Sequence, residues 1–117
     1  MIEINKRTAG EIHILDLKGK FRANAEAAFF EAVQAAVVEE GARKLVLNFA
    51  DLEECDSYAI SELLRVRSSI LNMDGRLVIV SMNDLIKRVF HITKVEEIFE
   101  IRENETEALF ELQTQPI

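Results

Sequence analysis

The chain has 117 residues, of which 49% are hydrophobic, with one proline and four glycines, so its composition predicts a single packed domain over residues 1–117. Twenty-one acidic residues against 14 basic ones give a net charge of −7, which argues against nonspecific nucleic-acid binding because that needs a basic surface. No apolar run approaches the roughly 18 residues of a membrane-spanning helix. The single cysteine, Cys55, precludes an internal disulfide and fits a reducing compartment. We therefore expect a cytoplasmic protein that does not insert into membranes.

The first third of the chain has the pattern of a β-hairpin followed by a helix. Apolar and polar residues alternate in segments 2–8 and 11–18, which predicts two antiparallel strands. Gly19 is expected to end the second strand. The apolar residues that follow keep helical spacing, with Asn24 as the predicted N-cap and Gly41 as the stop signal.

The middle of the chain alternates between strand and helix. Nearly continuous apolar runs at 45–49 and 77–80 predict strands that are buried on both faces. Between them, helical periodicity begins near Ser57 and continues to Leu71, and Asp74-Gly75 closes the helix.

The last third predicts a short helix capped by Asn83, an edge strand at 98–101 and a final helix after Asn104. The residues up to Ile117 are expected to form a frayed tail. The order β-β-α-β-α-β-α-β-α predicts an α/β fold: a mixed β-sheet, a hairpin followed by alternating helices and strands, with about four helices packed on it.

The carboxyl ends of parallel strands share one edge of a sheet with the N-termini of the helices. Three predicted loops should therefore meet there, namely Gly19 to Asn24, Asp51 to Ser57 and Ser81 to Asn83. We expect the functional site at this edge.

Catalytic and metal-binding motifs do not appear in the sequence. His13 and His91 are far apart and not in ligand spacing with Cys55, which argues against zinc. There is no glycine-rich phosphate loop and no nucleophile elbow. The sequence therefore predicts a non-enzymatic protein without a cofactor, and a small-molecule sensor or enzyme is the less favoured reading.

Asp56-Ser57 precedes an apolar helix, where aspartate and serine are ordinary N-caps. The functional alternative is that Ser57 is a phosphoacceptor. A phosphate there would meet the positive end of the helix dipole and would add about −1.5 to −2 charge beside Asp51, Glu53 and Asp56. Such a modification would be tolerated by the fold and would repel a partner that docks on the same edge.

Several segments resemble the STAS domain family, the bacterial anti-sigma factor antagonists. The resemblance rests on ordered motifs that cover nearly the whole chain: Leu15-Asp-Leu-Lys-Gly19, Lys44-Leu-Val-Leu-Asn-Phe-Ala-Asp-Leu-Glu-Glu-Cys-Asp-Ser57, Asp74-Gly-Arg-Leu-Val-Ile-Val-Ser81, Leu85-Ile-Lys-Arg-Val-Phe-His-Ile-Thr93 and Glu97-Ile-Phe99.

The resemblance implies partner switching. An unmodified domain would bind an anti-sigma factor that is also a serine kinase; phosphorylation of the serine after the aspartate, here Ser57, would end that binding, and a serine phosphatase would restore it. The expected partner-binding residues lie in the three loops and at the start of the second helix: Arg22, Asn24, Cys55, Asp56, Ser57, Tyr58, Ile60, Ser61, Ser81, Met82 and Asn83.

Three residues depart from the family pattern. Tyr58 replaces a small residue and Ala59 replaces a glycine, which leaves open a second interpretation: a non-phosphorylated scaffold or accessory subunit of a stress-signalling or lipid-transport complex. Arg22 stands where an acidic residue is common. It is either a solvated loop cation or the partner of Asp56 or of a phosphate on Ser57.

Overall fold

The computed structural model describes residues 2–23 and 26–114. Its elements in chain order are β1 (Ile2–Ala9), β2 (Ile12–Phe21), α1 (Glu26–Gln34), β3 (Lys44–Cys55), α2 (Ser57–Asn72), β4 (Arg76–Val80), α3 (Asp84–Ile92), β5 (Glu100–Arg102) and α4 (Glu105–Thr114). The predicted element order is confirmed, whereas the predicted cap Asn24 and the predicted tail at 115–117 lie outside the described residues.

The five strands form one sheet in the order β1-β2-β3-β4-β5. The hairpin strands β1 and β2 are antiparallel, and every later neighbour pair is parallel. The predicted fold class, a mixed sheet with four helices, is confirmed.

The sheet buries a different core on each side. On one side, the three-helix face, α1, α2 and α3 cover the main apolar cluster, whose fully buried members include Leu47, Phe49 and Phe90. On the other side, the α4 face, helix α4 covers a small cluster around Val46 and Val78. Alternating side chains along each strand supply the two clusters, as expected for strands buried on both faces.

Polar contacts surround α4. Arg7 donates to Asp16 (Nε–Oδ2 2.6 Å) and to Glu105 at the start of the helix (Nη1–Oε2 3.2 Å). Asn48 also donates to Glu105 (Nδ2–Oε1 3.1 Å), and the buried Lys44 donates to the carbonyl of Leu112 (2.6 Å). Helix α4 is therefore attached by charged hydrogen bonds as well as by apolar contact.

Two strands are longer than the sequence predicts. Gly19 does not end β2, which continues to Phe21, and β3 extends beyond Phe49 to Cys55. The pairing register shifts between Asp16 and Lys18 and again between Gly19 and Lys20, so β3 carries two more residues than β2 over the paired stretch. The predicted loops from Gly19 and from Asp51 are wrong over those residues.

Smaller differences occur elsewhere. Helix α1 passes into a π-helical turn at Ala35–Glu39, ahead of Gly41, which has a φ of 69°. The last strand begins at Glu100, and Ile98 lies in the turn before it.

Candidate functional site

The carboxyl ends of β2, β3 and β4 meet the N-termini of α2 and α3 at one edge of the sheet, which we call the serine edge. The amide of Asp56 donates to the carbonyl of Phe21 at 3.2 Å, which ties the end of β3 to the end of β2. The Asn83 side chain donates to the carbonyl of Leu52 at 3.0 Å, which ties the start of α3 to β3. The expected meeting of three chain segments at this edge is therefore confirmed, although two of them are shorter loops than predicted.

The junction between β3 and α2 separates the capping residue from the exposed hydroxyl. Asp56 is extended, and its Oδ1 accepts from the amide of Ala59 at 2.9 Å, so Asp56 is the N-cap. Ser57 is the first residue of α2, and its side chain is exposed. Its Oγ forms no hydrogen bond with any residue in the described ranges. Of the two candidate caps, only Asp56 has that role, and the Ser57 hydroxyl is left accessible.

The next residues of α2 alternate between surface and core. Tyr58 is 58% exposed, whereas Ala59 and Ile60 are buried. Ser61 is exposed, and its hydroxyl donates to the carbonyl of Ser57 at 3.2 Å. A bulky side chain replaces the family's small residue only at the surface, so the ring of Tyr58 is available to a partner and adds no bulk to the core.

The β4–α3 junction has its own cap. Ser81 has a φ of 61°, and its amide donates to the carbonyl of Arg102. Met82 is buried, and the Oδ1 of Asn83 accepts from the amide of Ile86 at 2.8 Å. The predicted N-cap is confirmed. Neighbouring Leu85, which is not among the expected partner-binding residues, is 56% exposed beside this cap.

Arg22 is paired with Glu54. A guanidinium nitrogen, Nη2, donates to Oε2 of Glu54, and Nζ of Lys20 lies 3.7 Å from the same oxygen. Of the alternatives left open for Arg22, a contact with Asp56 is not found among the described residues, because Glu54 takes the guanidinium instead. Sequence reasoning placed Glu54 in a solvated loop; its position opposite Lys20 in the sheet follows from the register of the extended strands.

Cys55 belongs to the core. Its side chain is packed in the main apolar cluster, and burial, with the negative charge of Asp56, raises the pKa of the thiol to about 12. The thiol therefore stays protonated at neutral pH. Cys55, Ile60 and Met82 can support the serine edge from below, whereas Ser57, Tyr58 and Ser61 form its surface.

Other candidate chemistry lies away from this edge. An open cavity of about 460 Å³, lined in part by His13, Glu40 and Arg43, lies at the opposite edge of the sheet. His91 contacts Glu96 at the end of α3, at 2.7 Å. Within residues 2–23 and 26–114, no group of three His, Cys, Asp or Glu side chains is arranged to hold a metal ion, and no helix is long and apolar enough to cross a membrane.

Comparison with known proteins identifies the family. The family model of the STAS domain matches residues 3–108. The chain belongs to the STAS domain family. A relative from Thermotoga neapolitana, provisionally named an anti-sigma factor antagonist, is 30% identical over 76 residues, which are 65% of this chain and 67% of the relative.

Solved STAS structures share the fold. A crystal structure of a protein from Thermotoga maritima, also provisionally named an anti-sigma factor antagonist, superposes with a TM-score of 0.87 at 23% identity, covering 94% of both chains. The phosphorylated form of the Bacillus protein SpoIIAA superposes with a TM-score of 0.72 at 16% identity, covering 94% of this chain and 99% of that one. These structures confirm the fold, and the match of the family model confirms the predicted family.

Proposed function

We propose that this STAS domain is an anti-sigma factor antagonist that acts by partner switching at Ser57. The observation that carries the proposal is the exposed Ser57 hydroxyl at the first residue of α2, which the fold does not use because Asp56 caps the helix. The resemblance to a relative named as an antagonist, and to a fold relative solved in a phosphorylated form, supports it.

In the unmodified state, the serine edge binds the anti-sigma factor. The exposed ring of Tyr58 and the exposed side chain of Leu85 provide apolar contact area. The side chains of Ser57 and Ser61 are also exposed and add hydroxyl groups to this surface. The protein acts by binding in the cytoplasm, with no cofactor, and the anti-sigma factor that it occupies releases its sigma factor.

Phosphorylation reverses this binding. The anti-sigma factor, itself a serine kinase, transfers the γ-phosphoryl group of ATP to the Oγ of Ser57, and ADP and the hydroxyl proton are released. The product adds about −1.5 to −2 charge next to the carboxylate of Asp56, the residue directly before Ser57. Like charge at a docking edge lowers affinity and association rate, while the positive end of the α2 dipole accommodates the phosphate within the fold. A serine phosphatase then hydrolyses the phosphate ester and restores binding.

A phosphorylation assay tests the proposal. Incubation with ATP and the anti-sigma kinase that binds this protein should add one phosphate by intact mass, and Ser57→Ala should abolish it. Ser61→Ala is the matched control, because Ser61 is also an exposed serine on α2, and it should keep full labelling. A kinase that binds the protein tightly without modifying it, or labelling that persists in Ser57→Ala, would contradict the proposal.

The exposure of Tyr58 favours one second candidate, a constitutive scaffold or accessory subunit whose contact is this ring and not a phosphorylatable hydroxyl. Ser57→Asp separates the two functions. Under partner switching, the added carboxylate should weaken binding of the anti-sigma factor by at least about tenfold, whereas Ser61→Asp should weaken it less. Under constitutive binding, Ser57→Asp should bind its partner with unchanged affinity and Tyr58→Ala should abolish the complex.

A further inference from the structure

The geometry of the serine edge points to a phosphate-binding role for Arg22: we propose that this arginine leaves Glu54 and binds the phosphoryl group when Ser57 is phosphorylated. The inference rests on the proposed function, since it concerns the modified state of the same serine. It assigns to Arg22 a role in the regulated state that the unmodified structure does not display.

The sheet register places Arg22 beside the chain segment that leads into Ser57. Phe21 is opposite Cys55, and its carbonyl accepts from the amide of Asp56 at 3.2 Å. Arg22, one residue later, therefore lies beside the segment that leads directly into Ser57. Arg22 is exposed, and its guanidinium already reaches Glu54, three residues before Ser57.

Arg22 can leave Glu54 without leaving that carboxylate unpaired. The Arg22 side chain is 49% exposed, and its pair with Glu54 is a solvent-screened surface contact of the kind that contributes little stability. Lys20 lies 3.7 Å from the same Glu54 oxygen and remains as its counter-ion. Glu54 thus has two cationic neighbours, and it keeps Lys20 when Arg22 moves away.

A phosphoserine is the stronger acceptor for this side chain. It carries close to two negative charges and three oxygens, and a guanidinium binds such a group through two parallel hydrogen bonds. Lys20, a single point charge, lacks this bidentate geometry. Phosphorylation should therefore divide the two cations between the two anions, with Arg22 on the phosphate and Lys20 on Glu54.

The exchange has a consequence for docking. In the unmodified state, the Arg22–Glu54 pair is a nearly neutral part of the edge. After the exchange, the guanidinium is held against the phosphate, so a partner that contacted Arg22 loses a cation as well as meeting new negative charge. The modified edge is then held by an ion pair between the residue after β2 and the first residue of α2.

The test uses the full chain with phosphoserine installed at position 57 during translation, so that no kinase is required. Phosphorus-31 NMR follows the titration of the phosphoryl group, and a bound guanidinium favours the dianion. The titration midpoint should lie roughly half a pH unit lower in the otherwise wild-type protein than in Arg22→Gln. Glu54→Gln, which removes the competing carboxylate, should lower the midpoint further.

Arg43→Gln is the matched control, since it removes the same charge just before β3, at the far end of the sheet, and should leave the midpoint unchanged. Circular dichroism establishes that each variant is folded. Equal midpoints in wild type, Arg22→Gln and Arg43→Gln would overturn the inference. The outcome is independent of the kinase assay: failure of the kinase to label Ser57 would refute the switch, whereas equal midpoints would refute only the role of Arg22.

Discussion

The two faces of the sheet are held together by different kinds of interaction. On the three-helix face, α1, α2 and α3 bury large apolar side chains such as Phe49 and Phe90, which are completely inaccessible to solvent. On the α4 face, one helix covers a small aliphatic cluster, and charged side chains surround it, including the contacts of Arg7 with Asp16 and Glu105.

This difference indicates which side of the sheet supplies most of the stability. Apolar burial contributes in proportion to area, so the three-helix face should carry most of the stabilisation and hold the ends of the strands rigidly. At the serine edge, Glu54 and Arg22 form a partly exposed pair and belong to neither apolar cluster. The main core therefore holds the strands whose ends carry these exposed charges.

Truncation in the main core should have the largest effect. Phe49→Ala removes a fully buried ring from the three-helix face and should lower the free energy of unfolding by about 3–5 kcal/mol. Phe110→Ala is the control on α4, where the ring is 59% exposed, and should change it by about 0.5 kcal/mol or less. Urea titrations measure both. Similar losses for the two variants would refute the assignment of stability to the three-helix face.

The second expected effect tests the charged attachment of α4. Hydrogen bonds from Arg7 lower the pKa values of Asp16 and Glu105. Because both values are depressed, the stabilisation is fully present above the unfolded carboxyl pKa values, near 4, and is lost as the pH falls through the folded values. Arg7→Gln should therefore cost about 1–2 kcal/mol at pH 7 and progressively less below pH 4.

The matched control for this prediction is Arg88→Gln. Arg88 is an exposed arginine of α3 without an ion pair among the described residues, so its loss should have little effect at either pH. Unfolding free energies of the two variants and of wild type, taken between pH 3 and pH 7, decide the matter. A pH-independent difference between Arg7→Gln and wild type would show that the network contributes by packing and not by charge.

The sequence was sufficient for the fold and for the meeting of two helix N-termini at one edge of the sheet. Periodicity indicates each strand and helix of the described residues, and the strand–helix alternation places Ser57 and Asn83 at one edge. The lengths of β2 and β3 could not be predicted, because polar residues such as Asp51 and Glu53 have the composition of a loop. They are in fact the solvent-facing residues of a strand whose buried side chains are Leu52 and Cys55.

The identity of the N-cap and the partner of Arg22 depend on backbone conformation and strand register, which the sequence does not reveal. Asp56 and Ser57 are both good N-cap residues, and the sequence cannot decide between them; the extended backbone of Asp56 does. Likewise, the sequence suggested Asp56 as a candidate partner of Arg22, whereas the register of the extended strands brings Glu54 to it. Pairing at the end of a sheet depends on shifts in register that no local pattern records.

The smallest expected effect compares helix caps on the two faces. Asn104 accepts from the amide of Glu107 at 2.9 Å at the start of α4, and Asp56 makes the equivalent contact in α2. Each alanine substitution should cost about 1 kcal/mol. Because α4 rests on a small cluster, Asn104→Ala should accelerate amide hydrogen exchange in α4 alone, by about fivefold, and leave β3 unchanged.

In Asp56→Ala, the buried face of α2 opens only with the main core, so exchange in α2 should rise together with exchange in β3. If α4 and β3 exchange in parallel in Asn104→Ala, the two faces unfold as one unit and the contrast between them does not extend to local stability.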